Sequence, residues 1–311
     1  MTDRTPQEQL AKEQLAKEQL AKEQLAEAQR IHDDDPWRAR DMLLPLPASL
    51  AAPDDLAQLA RLGVHVLGGL LKRWPEALLI CRQAIAAAGA PRPDMLRCLA
   101  AAAVLAGDAL EAARAEAALA SALDAPTADC AAVIRLLVIE QDMGRDKILP
   151  WLPVLDDWVA RAEAIEGPPD LVRFLAIATN NIASTILDAG PVPAGEPARV
   201  LERVARLSFH CWHAVGSWIH HERAHYLMAL ALNATGQPAA AAEHARHGLA
   251  LIAANEPEPV DACFHLLALA RALKALGDAA GAETALAEAA TYPAGFDDYW
   301  RAEYDKARAA I

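Results

Sequence analysis

The sequence predicts an all-α protein made of short helices in series. Its 311 residues are 54% hydrophobic, yet aromatic residues make up only 5%, and Ala and Leu carry the apolar character. Ala and Leu favour helices, whereas strands are enriched in β-branched and aromatic residues. From Asp55 onward, amphipathic segments alternate with short Gly/Pro breaks such as RWPE, LAGDAL and ATGQPA. Helices separated by turns at nearly even spacing are typical of an α-solenoid rather than of a compact bundle.

Composition narrows the classes of function. A net charge of −13 and a pI near 5.2 argue against a nucleic-acid-binding protein, which needs basic surface to neutralise phosphates. The five cysteines lie far apart with no CxxC pair, so we expect free, mostly buried thiols in a reducing compartment. The apolar runs are too short to span a membrane, and MTDRTPQEQL lacks a secretory pattern. We therefore expect a cytoplasmic protein with no membrane or nucleic-acid partner.

Residues 1–35 are predicted to form a helical arm. Residues 8–26 read EQLAKEQLAKEQLAKEQLA, and each Glu before a Lys lies four positions ahead of it, a favourable spacing on a helix surface. Five residues turn a helix by about 140° beyond a full circle. The repeated leucines therefore spiral around the helix instead of forming a coiled-coil seam; they are Leu10, Leu15, Leu20 and Leu25. We expect a solvated arm, with self-association into a homo-oligomer as the alternative. Pro36 ends it, and residues 36–54 are predicted to be a Pro-rich linker.

Three stretches share a helix–turn–helix pattern. They are residues 94–123, residues 222–251 (ERAHYLMALALNATGQPAAAAEHARHGLAL) and residues 265–290. All three resemble the tetratricopeptide repeat (TPR), and residues 222–251 are also similar to uncharacterised bacterial TPR proteins. In that family a Gly closes the first helix, and a small residue five positions later lets the second helix pack closely. The corresponding pairs here are Gly107 with Ala112, Gly236 with Ala241, and Gly277 with Ala282.

The resemblance implies a TPR-like α-solenoid of antiparallel helix pairs over residues 55–292. Weaker copies of the unit begin near Gln58 and near Ala176, and residues 146–167 fit no unit. Small residues recur seven positions further on as Gly248 and Ala289, where residues 94–123 have Leu119 instead. Stacked repeats leave apolar ends that need covering, so we expect residues 293–311 to form a capping helix.

HERAH, residues 221–225, is a literal match to the zinc-protease motif H-E-x-x-H. On a helix His221 and His225 share one face, as a zinc site requires, and Glu222 would be the general base. His210 or His213 could join them if the chain turns between the two groups.

The surroundings of HERAH favour ordinary scaffold positions. The chain offers almost no strand-like sequence for the sheet of a zinc protease, and the residues after His225 are apolar. Gly216 and Ser217 are expected to form a turn and a helix N-cap, and the TPR register places Glu222 in the opening turn of a first helix. A metal-binding protein or zinc hydrolase centred on the motif remains the alternative. Phosphate-loop, dinucleotide and nucleophile-elbow motifs are missing, so no cofactor and no enzymatic activity is expected.

The TPR resemblance implies that side chains of the first helices line a groove for a peptide. We accordingly predict a protein-interaction module, an adaptor or regulator. A self-assembling scaffold is a further alternative. Asn side chains can read a peptide backbone, and basic residues on an acidic protein favour a partner with acidic or carboxylate groups. The predicted groove residues are Arg97, Asn180, Asn181, Ser184, Arg223, Tyr226, Asn233, Arg271 and Lys274.

Overall fold

A computed structural model describes the backbone of residues 6–144 and 148–311, and the side chains of Gln9, residues 12–144 and residues 148–311. Within these ranges the chain forms helices and turns and no strand, which confirms the all-α prediction. The chain divides into two compact units, Met1–Asp142 and Met143–Ile311. The repeat pattern gave no sign of this division inside residues 55–292.

The N-terminal unit is built from successive helices that pack against their neighbours in the chain. The helices are α1 (Pro6–Ile31), α2 (Pro36–Leu43), α3 (Pro53–Gly63), α4 (Trp74–Ala88), α5 (Pro93–Leu105), α6 (Ala109–Leu123) and α7 (Thr127–Met143). α3 packs on α4, α4 on α5, α5 on α6, and α3 also contacts α5. A π-helical segment, Val64–Leu70, follows α3 directly, and a 3₁₀ turn, Leu46–Ala48, precedes α3.

The C-terminal unit repeats the pairing more regularly. Its helices are α8 (Ile148–Ala162), α9 (Pro169–Asp188), α10 (Glu196–Val215), α11 (Trp218–Ala234), α12 (Pro238–Ala254), α13 (Pro259–Ala275), α14 (Ala279–Ala289) and α15 (Asp298–Ala309). α9 pairs with α10, α11 with α12, and α13 with α14. In addition α9 contacts α11, α11 contacts α13, and α13 contacts α15. We call these four helices, α9, α11, α13 and α15, the first-helix row. Helix pairs joined in this way make the fold a TPR-like helical repeat.

The turns inside the predicted units have the expected conformation. Gly107, Gly236 and Gly277 have φ angles of 78°, 77° and 81°, a left-handed conformation that glycine adopts without steric cost. Each lies two residues after the end of the first helix of its pair. The alanines five positions later are buried, so the close packing of the second helix is confirmed.

The arm is helical as predicted, but the expectation of a fully solvated arm is wrong. Ala21, Leu25, Ala28 and Ile31 are buried, and α1 packs on α2 and α3. In the second half of the arm the buried apolar residues recur at intervals of three or four, which places them on one helix face. The leucines within the repeat do spiral, since Leu15 is 68% exposed. Only the first part of the described arm is therefore open to solvent.

The segment predicted as a linker is folded into the N-terminal unit. Asp35 caps α2 by accepting a hydrogen bond from the backbone N–H of Arg38, and Pro36 occupies the first turn. Proline can end a helix, but an acidic cap followed by proline starts one as readily. At Asp35 and Pro36 the chain does both, because α1 ends before them and α2 begins. The Arg40 Nε donates to Glu76 on α4 at 2.7 Å. Leu43 and Leu46 are fully buried, so α2 and the 3₁₀ turn are core elements.

α8 covers most of the segment that fits no repeat and contains Pro153 in its interior. α15 packs on α13 and buries Tyr304. Of the helices in the described parts of the chain, none combines the length and the apolarity needed to cross a membrane.

Replacing Leu25 by Ala tests whether the arm is part of the core. Leu25 is 2% exposed, so the change should lower the free energy of unfolding by about 2–4 kcal/mol, because it removes buried methyl groups and leaves a cavity. Leu15→Ala makes the same substitution in an equivalent repeat and should change stability by less than about 0.5 kcal/mol. Urea denaturation followed by circular dichroism measures both. Equal effects of the two substitutions would contradict the docked arm.

Candidate functional site

The turn before α11 forms as the sequence predicts. Ser217 precedes the first helical residue, its backbone N–H donates to His220 Nδ1 at 3.2 Å, and its hydroxyl lies 2.9 Å from the same atom. α11 nevertheless begins at Trp218, one turn earlier than the TPR register indicated. Glu222 therefore lies in the second turn of the helix. The expected effect of the helix dipole on Glu222 is wrong, because that effect is confined to the first turn.

The HERAH residues point in two directions from α11. The His225 Nδ1 lies 3.0 Å from His244 Nδ1 on α12, and the His221 ring stacks on His213 of α10 with centroids 4.5 Å apart. Glu222 points instead toward α13, where its Oε2 lies 3.1 Å from His265 Nε2. Position 222 is turned about 100° from position 221 on a helix, so Glu222 and His221 face different neighbouring helices. The motif does not bring Glu222 to the histidines as a zinc hydrolase requires.

The imidazoles between α10, α11 and α12 form a cluster around Phe209. Burial, with neighbouring imidazoles, lowers the pKa of His225 to about 3 and also lowers the pKa of His221 and His244. These side chains are therefore neutral at physiological pH. Among the described residues, none of them belongs to a set of three ligand atoms close enough to share a metal ion. The cluster packs α10, α11 and α12 together.

Glu222 and His265 form a fully buried pair between two helices of the first-helix row. Gly248 on α12 makes room for the imidazole, because a Cβ at position 248 would lie 1.9 Å from His265 Cε1. The small residue that the TPR pattern placed here thus accommodates a specific side chain from α13. The pair with Gly248 joins α11, α12 and α13 at one point.

Burial controls the protonation of this pair. Loss of solvation, with the neighbouring Asp261 carboxylate, raises the pKa of Glu222 to about 8, and loss of solvation lowers the pKa of His265 to about 4. Between these values both groups are neutral, and Glu222 Oε2 lies within hydrogen-bonding distance of His265 Nε2. The Arg223 guanidinium lies beside the pair and donates to Asp261 from Nε at 3.0 Å and from Nη2 at 2.9 Å.

Several of the predicted groove residues have structural partners. Arg223 is paired with Asp261, and the Asn233 side-chain amide donates to the Ala268 carbonyl on α13 at 2.9 Å. The Lys274 ammonium donates to the carbonyl of Ile311, which follows α15. These three contacts tie the helices of the C-terminal unit together. Arg97 lies in the N-terminal unit and is only 7% exposed, so its side chain is not an open groove position.

The other predicted residues lie on the first-helix row with part of their surface accessible. Asn180 and Ser184 are one helical turn apart on α9, and the Asn180 amide donates to Asn181 Oδ1 at 3.3 Å. Tyr226 is half-buried on α11, and Arg271 is exposed on α13. These positions remain candidates for partner contact.

Aromatic side chains on α11, α13 and α15 form a line that the sequence did not predict. The ring of Tyr226 on α11 lies 6.3 Å from Phe264 on α13, and Phe264 lies 5.8 Å from Trp300 on α15. Tyr299 extends the row at 5.0 Å from Trp300. We call Tyr226, Phe264, Trp300 and Tyr299 the aromatic row. Its signal was present in the sequence: the chain has four Phe and seven Trp, and Tyr226, Phe264 and Trp300 recur at intervals close to one TPR unit.

Comparison with known proteins gives structural similarity at low identity. No family model and no curated protein matches this chain. It is similar to the crystal structure of BtubC (BKLC) from P. vanneervenii, with 15% identity and a TM-score of 0.44 over 91% of each chain. It is also similar to a tetratricopeptide repeat protein from Parabacteroides merdae ATCC 43184, with 16% identity and a TM-score of 0.32 over 93% of this chain and 99% of that one. The pairing of α9 with α10, α11 with α12 and α13 with α14 is what makes the fold TPR-like.

Gly248→Ala tests the close approach of His265. In a helix, alanine is ordinarily more favourable than glycine by up to about 1 kcal/mol. Here the added methyl group would overlap the imidazole, so we expect a net loss of about 1–3 kcal/mol in the free energy of unfolding. Gly295→Ala is the matched control, because a Cβ at position 295 meets nothing within 4 Å. Thermal denaturation of the two variants measures the difference, and a stabilised Gly248→Ala protein would contradict the packing described.

The buried pair predicts a pH dependence of stability. In the unfolded chain both groups have lost their protons above about pH 6.5, whereas the folded pair keeps one proton up to about pH 8. The folded state therefore binds more protons in this window, and the free energy of unfolding should fall by about 1–2 kcal/mol as the pH rises through it. Glu222→Gln should abolish the fall, and the exposed Glu243→Gln should keep it. Urea denaturation at pH 6.3 and about pH 8.3 measures the effect; the same slope in all three proteins would refute it.

Proposed function

We propose that this protein is a non-catalytic interaction module that binds a segment of a partner protein across the first-helix row of the C-terminal unit. The observation that carries the proposal is the aromatic row. TPR-like repeats present adjacent helix faces as one continuous surface, and here three successive helices of that surface contribute rings in contact with one another.

Partly exposed aromatic rings in contact with one another suit protein binding. Aromatic side chains supply large apolar contact areas with few rotatable bonds, and they are enriched at the centres of protein interfaces. Trp300 is 38% exposed although it packs on Phe264, so part of its ring is available to a partner. In a chain with 5% aromatic residues, this concentration on neighbouring helices favours a binding role over ordinary core packing.

The side chains around the aromatic row define the partner that we propose. An apolar or aromatic anchor would cover Phe264 and Trp300, and Asn180 on α9 could pair with the partner's backbone. Arg223 and Lys274 are already paired within the unit, so a preference for acidic partners would depend on the exposed Arg271. We therefore propose a partner segment that combines an apolar anchor with an acidic group or a free carboxylate.

We place the protein in the cytoplasm. All five cysteines are free and buried, as the sequence predicted, and burial raises the pKa of Cys130 and Cys263 to about 11. Thiols in this state are unreactive packing residues, which suits a reducing compartment.

A peptide selection tests the proposed surface. Peptides selected for binding to the full-length protein from a random displayed library should bind Trp300→Ala at least about tenfold more weakly, because loss of a central aromatic anchor commonly costs more than 1 kcal/mol. Trp37→Ala is the matched control: Trp37 is 55% exposed and lies on α2 of the N-terminal unit. Fluorescence anisotropy measures the affinities. Selected peptides that bind Trp300→Ala as well as the unaltered protein would reject the aromatic row as the binding surface.

A further inference from the structure

His32, Asp33 and His65 bring three metal-ligating groups together in the N-terminal unit. His32 and Asp33 lie in the turn between α1 and α2, and His65 lies in the π-helical segment after α3. His32 Nε2 is 3.5 Å and His65 Nε2 is 3.9 Å from the same carboxylate oxygen, Asp33 Oδ1. All three ligand atoms fall within 4.8 Å of one another, and among the described residues this is the group that could hold a metal ion.

The two separations from Asp33 are longer by at most about 0.6 Å than the spacing of ligands around a tetrahedral ion. Ligands about 2.0–2.1 Å from a tetrahedral zinc ion are about 3.3–3.4 Å from one another. A direct hydrogen bond from an imidazole to a carboxylate would instead bring the two atoms to about 2.7–2.9 Å. The two imidazoles thus approach Asp33 at a distance too long for strong hydrogen bonding and close to that of ligands sharing an ion.

A backbone hydrogen bond sets the tautomer of His32. Its Nδ1 lies 2.6 Å from the carbonyl oxygen of Gln29. A carbonyl can only accept, so Nδ1 carries a proton, and Nε2 is the nitrogen that faces Asp33 and can bind a metal ion through its lone pair when the ring is neutral. A histidine whose second nitrogen donates to a carbonyl in this way has the orientation typical of metal ligands.

The backbone around His65 is also unusual. A π-helical turn is rare and frequently occurs at functional sites, and here it spans Val64–Leu70. The ring centroids of His32 and His65 are 5.1 Å apart with an interplanar angle of 71°. This edge-to-face arrangement lets both Nε2 atoms point at one place without the rings colliding.

We propose that His32, Asp33 and His65 bind a divalent transition-metal ion of the zinc type, with solvent in the fourth position. Two imidazoles and one carboxylate suit zinc and its neighbours better than magnesium or calcium, which prefer oxygen ligands alone. Asp33 is exposed, so an ion and its water can enter from solvent. The ion would join the end of the arm helix to the segment after α3, and thereby hold the arm in its docked position. The site lies in the N-terminal unit and is independent of the proposed partner surface.

Zinc titration of the full-length protein tests the site. After removal of any histidine tag and treatment with chelator, isothermal titration with Zn²⁺ alone should show one ion per chain. His65→Gln and, separately, Asp33→Asn should weaken this binding at least about tenfold, since even outer-shell changes at metal sites cost 10- to 100-fold. Far-UV circular dichroism shows whether each variant keeps its helices, and Asp33→Asn changes an exposed residue that the core does not need.

Two further measurements identify the ligands. His247→Gln, an exposed histidine of the C-terminal unit, is the matched control and should bind zinc as the unaltered protein does. Co²⁺ should give the intense visible bands of a tetrahedral site in the unaltered protein and lose them in His32→Ala. The proposal is overturned if no stoichiometric binding occurs, if the three variants bind zinc normally, or if only substitutions at the α10–α12 histidines remove it.

Discussion

His265 occupies the point on which the C-terminal unit depends. Its imidazole fills the space above Gly248 on α12 and contacts the carboxyl group of Glu222 on α11. Both side chains are fully shielded from water. Removing a charge from water costs several kcal/mol. Burial therefore holds both groups in their neutral forms, and three helices meet there in a single arrangement. The spacing of the first-helix row at this point follows from that contact.

The two sides of α11 consequently serve different purposes. Toward α10 and α12 it presents His221 and His225, whose neutral rings pack against other histidines. Toward α13 it presents Glu222 and, one turn later, Tyr226, which begins the aromatic row. A motif that resembles a catalytic signature in the sequence is thus divided by the 100° step between neighbouring residues of a helix. Its structural value lies in fixing the register that brings Tyr226 beside Phe264.

The sequence predicted the helical units well, because glycine turns and buried alanines depend on local rules. Gly236 and Ala241 behave as the repeat pattern requires. The pattern of a single helix could not predict the partners of Arg223 and Asn233, because each partner lies more than 30 positions away in the sequence. The same holds for the contact of Tyr226 with Phe264 in the aromatic row. The docking of the arm was not predicted because the repeat spreads its leucines around the helix. Ala21 and Leu25 near the end of the repeat and Ala28 after it nevertheless lie on one buried face.

A double-mutant cycle at Glu222 and His265 tests the central claim most directly. The free energy of unfolding would be measured for the unaltered protein, for Glu222→Ala, for His265→Ala and for the double variant. The transition to follow is the unfolding step whose midpoint these substitutions shift. A shared buried contact predicts a coupling energy of about 1–3 kcal/mol, whereas the more exposed pair Arg203–Glu163, measured in the same way, should give about 0.2–1 kcal/mol. A coupling energy at Glu222 and His265 no larger than that of the exposed pair would contradict the account.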